Sequence, residues 1–544
     1  MNLLLSIISG IFLTLSYNYN SLWFISFISL TPLLYLIYNN SNFKKTYFYS
    51  HLTGFIYLGF VFSWLFDSFP LGWMLTDNLV LNFLCVFIIW FITVFFLSSL
   101  FGLLGILIWK FKTNRIQDVL LISSTWVLFE YLRGLFYFIF SYSSESLFGS
   151  HFTFGLIGYN LAHSKYLIKL ASLGGIYLLS FLVVLINAIL FYIFINYQQK
   201  KHLNLKQEIF KFFTNFKINK IRITYVILII LIIFSFLDLG LKTKSNSSEK
   251  ILNVAILQTK FLNANDINNL FSSNKKKKIY EELINQIKNE SDDIDLILLP
   301  ENTDFTNTLF QENKIELYEK LWPQREVLVV DSTFIKDRLG KIRPTMQYYN
   351  IKNKDYSVYE KQLLVPTGES LPYFSKAILK LVDLFEGKNY SETHGTYSKS
   401  NQEKKGVGEI NNSKIGILFC SEVLSPKLYQ DIIFQEVELI GLSSSYATFR
   451  ESPILLFQLE KAAKIRAVES NRYYIQSSNY GYSLVIDNQG EIVSKTKQLG
   501  NDYLISRVKL IQDKNLYFYL GDWILFLSLG YLFFITGKSF VSKK

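Results

Sequence analysis

Long apolar runs separated by short polar breaks fill the first 240 positions, and one more such run lies near the C-terminus. Runs near or above the ~18–20 residues needed to cross ~30 Å of hydrocarbon stand at about 3–18, 21–38, 49–66, 79–109, 117–138, 168–196, 221–240 and 518–536. The pattern predicts a polytopic α-helical membrane protein of eight spans, with seven in 1–240 and the eighth, followed by a short basic tail, in 517–544. The first run has neither a basic leader nor a small-residue cleavage site, so it reads as a retained anchor.

Residues 241–516 break the pattern, because charges occur throughout and no apolar run reaches membrane length. That predicts one large soluble domain with its own core. Short β-rich apolar runs closed by polar residues predict strands at 251–258, 293–302, 326–333, 415–422, 437–444, 473–479 and 482–490. Helical spacing at 275–290 and 455–470 adds helices between them, so the fold class expected for this domain is an α/β layered sandwich.

Composition adds little beyond the pattern, but charge placement adds orientation. The net charge is +12. With the N-terminus inside, one set of loops holds Lys44, Lys45, Lys110, Lys112, Arg115, Lys200, Lys201, Lys206, Lys211, Lys217, Lys220, Arg222, Lys538, Lys543 and Lys544. The opposite short loops offer Asp67, Asp77, Glu145 and one lysine, Lys165. Basic residues gather on the cytoplasmic side, so 241–516 is expected to face outward. The positive charge is then a topology signal and a contact with anionic lipid, and no nucleic-acid partner is expected.

Of the two cysteines, Cys85 lies in the fourth run and Cys420 in the outward domain, so a disulfide between them is not expected. Cys420 closes the run IGILFC, Glu301 follows ILLP, and Lys361 lies in YEKQLLVP. Taken singly, such residues are solvated loop groups or a small buried hydrophobe. Together they supply a nucleophile, a proton acceptor and a fixed cation, the set needed for acyl transfer through a thioester. His394 alone makes no metal site, and no clustered ligand spacing implies a metal or organic cofactor.

Glu301 in LLPEN, Lys361 in YEKQLLVPTGESLP and Cys420 in ILFCSE resemble the Glu-Lys-Cys triad of the nitrilase superfamily. The spacing of Tyr359, Lys361, Pro366, Gly368, Glu369 and Pro372 resembles more narrowly the apolipoprotein N-acyltransferases, as do stretches 15–34, 130–134, 170–183 and 465–492. The resemblance implies a nitrilase-like sandwich carried by the membrane helices at the bacterial cytoplasmic (inner) membrane, with the catalytic domain on the periplasmic side. It implies that Cys420 takes a fatty acyl group from a phospholipid and passes it to the amine of the N-terminal diacylglyceryl-cysteine of a lipoprotein. It also implies that Glu369 positions Lys361 or Cys420 and that Glu422 supports the pocket. The chain departs from the family in having Ser421 where an aromatic residue is usual, SSSYATF (443–449) in place of NDxWF, and no tryptophan shortly after Gln258. Two rival readings are a membrane-tethered amidase using water as acceptor, and a transporter or sensor with an outward binding domain, which would need intramembrane polar sites or inverted repeats.

Two further patterns leave alternatives open. Residues 371–387 are apolar at helical spacing through Phe374, Ile378, Leu381 and Leu384, which makes them either ordinary core or a substrate lid that dips into lipid. Glu130 and Arg133, three apart on the fifth span, either mark function within the membrane or pair and snorkel to its interface.

Overall fold

The computed structural model describes all residues except 72–77, 202–249, 262–269, 313–314, 324, 337–339, 388, 394, 396, 401–405, 498 and 542–544. The span expected at 221–240 and His394 lie outside the described residues.

The N-terminal part is helical: Asn2–Asn18, a 3-10 segment Asn20–Phe27 leading into Thr31–Asn39, then Phe43–Val61, Leu79–Phe111, Gln117–Phe140 and Ala171–Lys201. Trp523–Val541 adds a helix near the C-terminus. Among the described residues, the four stretches long and apolar enough to cross a membrane are Asn20–Asn39, Leu79–Phe111, Gln117–Phe140 and Leu167–Asn196, while Asn2–Asn18 and Trp523–Lys538 are shorter apolar helices. The run expected at 49–66 begins earlier, at Phe43, because the Asn42 side chain caps the helix by accepting from Lys44 N, and it ends at Val61. The run at 168–196 is broken where Gly174 and Gly175 leave helical geometry. Gly175 has φ +66°, and a Cβ there would stand 2.4 Å from the Tyr517 ring. Only glycine serves that close approach.

Among the described residues, a twelve-stranded sheet follows. Its strands are β1 (Ile251–Thr259), β2 (Leu296–Leu298), β3 (Leu328–Lys336), β4 (Ile342–Asn350), β5 (Asp355–Glu360), β6 (Gly408–Ile410), β7 (Ser413–Phe419), β8 (Leu439–Ser445), β9 (Tyr473–Asn479), β10 (Leu484–Ile486), β11 (Ile492–Lys495) and β12 (Asp502–Lys509). The main path runs β5-β4-β3-β2-β1-β9-β8-β7-β6. β3, β2, β1, β9, β8 and β7 are parallel neighbours, and β4, β5, β6, β10, β11 and β12 join antiparallel. β1 and β9 touch only at their ends, Gln258 with Ser478 and Thr259 with Asn479, so the sheet divides into two halves there.

The period-2 alternation of side chains assigns the faces. Val254, Ile256, Leu298 and Val330 share one core with Ile415, Ile417 and Phe419 of the other half. Ala255, Leu257, Ile297 and Val329 point the opposite way, onto Tyr280, Ile284 and Ile287 of helix Leu270–Glu290. The Tyr348 hydroxyl crosses between the halves, donating to Ile417 O at 3.0 Å and accepting from Ile417 N at 2.9 Å. On the outer face of the second half, helix Pro426–Ile433 packs so close that a Cβ on Gly416 would stand 2.6 Å from Ile432. The layers are therefore helix, sheet, sheet, helix.

Helix Pro453–Ser470 joins this sandwich to the membrane helices. Gln458 donates to Val61 O at 3.0 Å, Lys461 to Tyr17 O, and Glu469 accepts from Ile176 N at 2.8 Å. The expected strand 293–302 shortens to 296–298. Its flanking aspartates are drawn off instead, Asp295 accepting from Asn253 N at 2.8 Å and from Arg325 at 3.1 Å.

Candidate active site

Glu301 lies just beyond β2, Lys361 directly after β5, and Cys420 directly after β7, where it opens the 3-10 turn Cys420–Leu424. β2 and β7 are parallel strands of opposite halves, and their carboxyl ends meet here. Sites in α/β sheets form at such ends because loops from several strands converge there.

Lys361 is fully buried, and its ammonium donates to Glu301 Oε1 at 2.9 Å and to Glu369 Oε1 at 2.7 Å. Glu369 returns to the lysine through a turn in which Thr367 has φ +68°, a strained position for a β-branched residue. Its second oxygen accepts from Val365 N at 2.9 Å. Ser445, at the end of β8, serves both partners: its N–H donates to Glu301 Oε2 at 3.1 Å and its carbonyl accepts from Cys420 Sγ at 3.7 Å. Glu422 is fully buried and ties the lysine segment to the cysteine turn. Its Oε1 accepts from Tyr359 OH (2.8 Å), Gln362 N (2.8 Å) and Leu363 N (3.2 Å), and its Oε2 from Phe419 N (2.9 Å). Ser421 donates to Leu363 O at 2.6 Å.

The electrostatics follow from burial. Burial lifts Glu301 above the ordinary carboxylate range, with Lys361 opposing and Glu369 adding to the rise. Burial disfavours the Lys361 ammonium, but Glu301 and then Glu369 more than offset it and hold the amine well above its usual value. Burial and then Glu301 push the Cys420 thiol upward, while Lys361 opposes. The thiol therefore rests protonated beside a carboxylate of raised proton affinity, an arrangement suited to proton transfer as the sulfur forms a bond. Among the described residues no group of three or more His, Cys, Asp or Glu side chains gathers as a metal site.

The structure brings Glu301, Lys361, Glu369, Cys420 and Glu422 together, and residues 371–387 follow directly after this lysine segment. They form helix Tyr373–Glu386. Leu379 and Val382 pack with Cys85 and Tyr390, Phe374 lies 4.8 Å from Phe140, and Ile378 is half-buried. Leu381 and Leu384 remain 59% and 81% exposed. Glu130 and Arg133 turn inward rather than snorkelling. Glu130 accepts from Ile157 N at 2.8 Å, and Arg133 donates to Phe154 O at 2.9 Å and Gly155 O at 2.7 Å. With Leu100, Phe101, Leu104, Trp126 and Phe129 they line a cavity of about 10 Å³. Sequence reasoning missed Ser445, whose contribution is made by its backbone and leaves no mark in residue type.

Residues 9–189 match the apolipoprotein N-acyltransferase N-terminal domain family. The chain is 23% identical to apolipoprotein N-acyltransferase 1 of Treponema denticola over 96% of this chain and 93% of that one. It is 25% identical to the apolipoprotein N-acyltransferase of Aquifex aeolicus over 68% of this chain and 74% of that one. Among solved structures, it is similar to Saccharomyces cerevisiae Nit3, a member of branch 10 of the nitrilase superfamily, at 17% identity and TM-score 0.36 over 48% of this chain and 90% of that one.

Proposed function

We propose, from the likeness of this chain to apolipoprotein N-acyltransferases, that Cys420, Glu301 and Lys361 carry an acyl group from a phospholipid to a lipoprotein amine. The Cys420 sulfur attacks the ester carbonyl carbon of the phospholipid while Glu301 takes the thiol proton. Lys361, fixed by two carboxylates, stabilises the oxyanion. The carbon–oxygen bond to glycerol breaks, Glu301 returns the proton to that oxygen, and a lysophospholipid leaves. The free α-amine of the diacylglyceryl-cysteine then attacks the thioester. The carbon–sulfur bond breaks as the amide forms, and the amine's proton passes through Glu301 to the sulfur. Glu369 holds Lys361, and Glu422 holds the cysteine turn against the lysine segment.

Supporting this reading above all is the Lys361 ammonium between Glu301 and Glu369, with Cys420 hydrogen-bonded to the residue that also holds Glu301. Residues 1–240 serve as the membrane domain, 241–516 as the catalytic domain on the periplasmic face of the inner membrane, and 517–544 as the last span and tail. Helix Tyr373–Glu386 serves as a lid whose exposed leucines touch lipid. An amidase would need no lipid donor. Mass spectrometry of the purified protein after incubation with phospholipid tests the reading: an acyl mass on the Cys420 peptide with release of lysophospholipid supports it, and an unmodified thiol counts against it.

A further inference from the structure

The loop that follows helix Gln117–Phe140 reaches the turn bearing the thiol. His151 is 6% exposed, with Nδ1 2.7 Å from Ser425 Oγ and Nε2 3.0 Å from Phe148 O. A carbonyl only accepts, so Nε2 carries a proton; in the neutral ring Nδ1 then accepts from the Ser425 hydroxyl, and in the charged ring it donates to it. Ser425 closes the Cys420–Leu424 turn. Its N–H donates to Glu422 O at 3.0 Å, and its Oγ accepts from Leu428 N at 3.2 Å, capping helix Pro426–Ile433. Thr153 adds a second tie from the same loop, donating to Leu424 O at 2.6 Å. Gly149 has φ +142°, and a Cβ there would stand 2.7 Å from His151 Nε2, so the loop is shaped to admit the imidazole. Phe148, whose carbonyl selects the tautomer, is itself 77% exposed and lies edge-on to Phe138 at 5.2 Å. One short loop thus carries an aromatic side chain on the apolar exterior and an imidazole on the nucleophile's turn.

We propose that His151 is a positioning residue for Cys420: it fixes the far end of the Cys420–Leu424 turn and links the thiol's orientation to the Phe148 loop at the apolar surface. The inference rests on Cys420 being the acyl-accepting thiol. Within the sandwich the turn is held by Glu422 and by Ser421, whereas the membrane part reaches its far end through His151 and Thr153. Displacement of a reacting group by about 1 Å lowers rate by about 100-fold, so a lost anchor at this point is felt in chemistry before it is felt in folding.

The test uses the full chain in phospholipid vesicles, with His151→Ala and with His151→Asn, whose amide oxygen stands near the place of Nδ1. The rate of thioester formation, the KM for phospholipid, the rate at which iodoacetamide alkylates Cys420 (followed on its own peptide) and thermal unfolding are measured together. His151→Ala is expected to lower kcat for acylation by about 10- to 100-fold with little change in KM, to alter the alkylation rate, and to leave the unfolding temperature near that of the parent. His151→Asn should recover most of the rate. Native acylation and alkylation rates in His151→Ala would overturn the inference, as would a loss that follows unfolding and is not rescued by asparagine. If the parent chain forms no thioester, the reading of Cys420 fails, while the alkylation comparison still decides whether His151 sets the thiol's environment.

Discussion

Tyr359 at the end of β5 and Glu422 in the turn after β7 meet across the two half-sheets, the phenol donating to Glu422 Oε1 at 2.8 Å. With Gln362 N, Leu363 N and Phe419 N also donating, both carboxylate oxygens serve as acceptors and no position is left for a donor. Glu422→Gln must therefore aim an NH₂ group at one or more of these backbone N–H groups. The expected result is a loss of about 1–3 kcal/mol in stability, together with a fall in thioester formation. Denaturation in detergent and single-turnover acylation read the two effects, and parent-like values of both would reduce Glu422 to a bystander.

Cys420→Ala and Cys420→Ser should each abolish acyl transfer while the chain still inserts and folds, because the side chain makes one weak hydrogen bond, to Ser445 O. Serine does not rescue, since its hydroxyl is a far weaker nucleophile without a stronger base. Lipoprotein acylation retained by Cys420→Ala would place the nucleophile elsewhere.

Burial holds Glu301 above the ordinary carboxylate range, and that shift predicts a pH profile. As proton acceptor it works only in the ionised form, so the acylation rate should be low in acid and rise with pH through the raised value, with its limb displaced above the ~4.3 of a free glutamate. Glu301→Gln should erase both the rate and the limb. Lys361→Arg keeps the charge but not the compact ammonium that fits between Glu301 and Glu369, and most activity should be lost. Normal acyl-enzyme from Glu301→Gln would require a different base.

Leu381 and Leu384 are exposed on helix Tyr373–Glu386, whereas Leu379 and Val382 on its other face are buried. An acyl chain passing through water would lose about 0.8 kcal/mol per CH₂, so an apolar path from bilayer to thiol has a purpose. Replacing both exposed leucines with serine should weaken use of long-chain phospholipid more than use of a short, water-soluble acyl thioester. Equal loss on both donors would mark the pair as irrelevant to the lipid path.

Lys461 is buried at the join between the sandwich and the membrane helices, its ammonium 3.7 Å from the centre of the Tyr17 ring and 4.6 Å from that of Phe457. Burial pushes the amine well below its usual value, and among the described residues no carboxylate pairs with it. Lys461→Met keeps the length and apolar stem and removes a desolvated amine, but it also leaves Tyr17 O without this donor, so the two effects should offset to within about 1 kcal/mol. Lys461→Ala, which opens a cavity, should lower it. Thermal unfolding of the two variants separates a tolerated cation from one the join depends on.

Several elements were legible from the chain alone because their signals are local. Apolar runs at 79–109 and 117–138 predicted helices that form as Leu79–Phe111 and Gln117–Phe140, and the run at 251–258 predicted β1, because a continuous stretch of apolar side chains has few alternatives to burial. Glu301, Lys361 and Cys420 stood out by type and by their place after apolar runs. Tertiary structure decided the rest. β4, β5 and β12 mix polar and apolar residues, and they become strands by antiparallel pairing with partners already in the sheet, which no local period announces. The approach of the Lys361 ammonium to two carboxylates, the service of Ser445 through its backbone, and the reach of His151 to Ser425 across 274 positions depend on where distant segments pack. Residue type shows what a side chain can donate or accept; only the packed chain decides which donor meets which acceptor, because that is set by burial and distance between groups far apart in sequence.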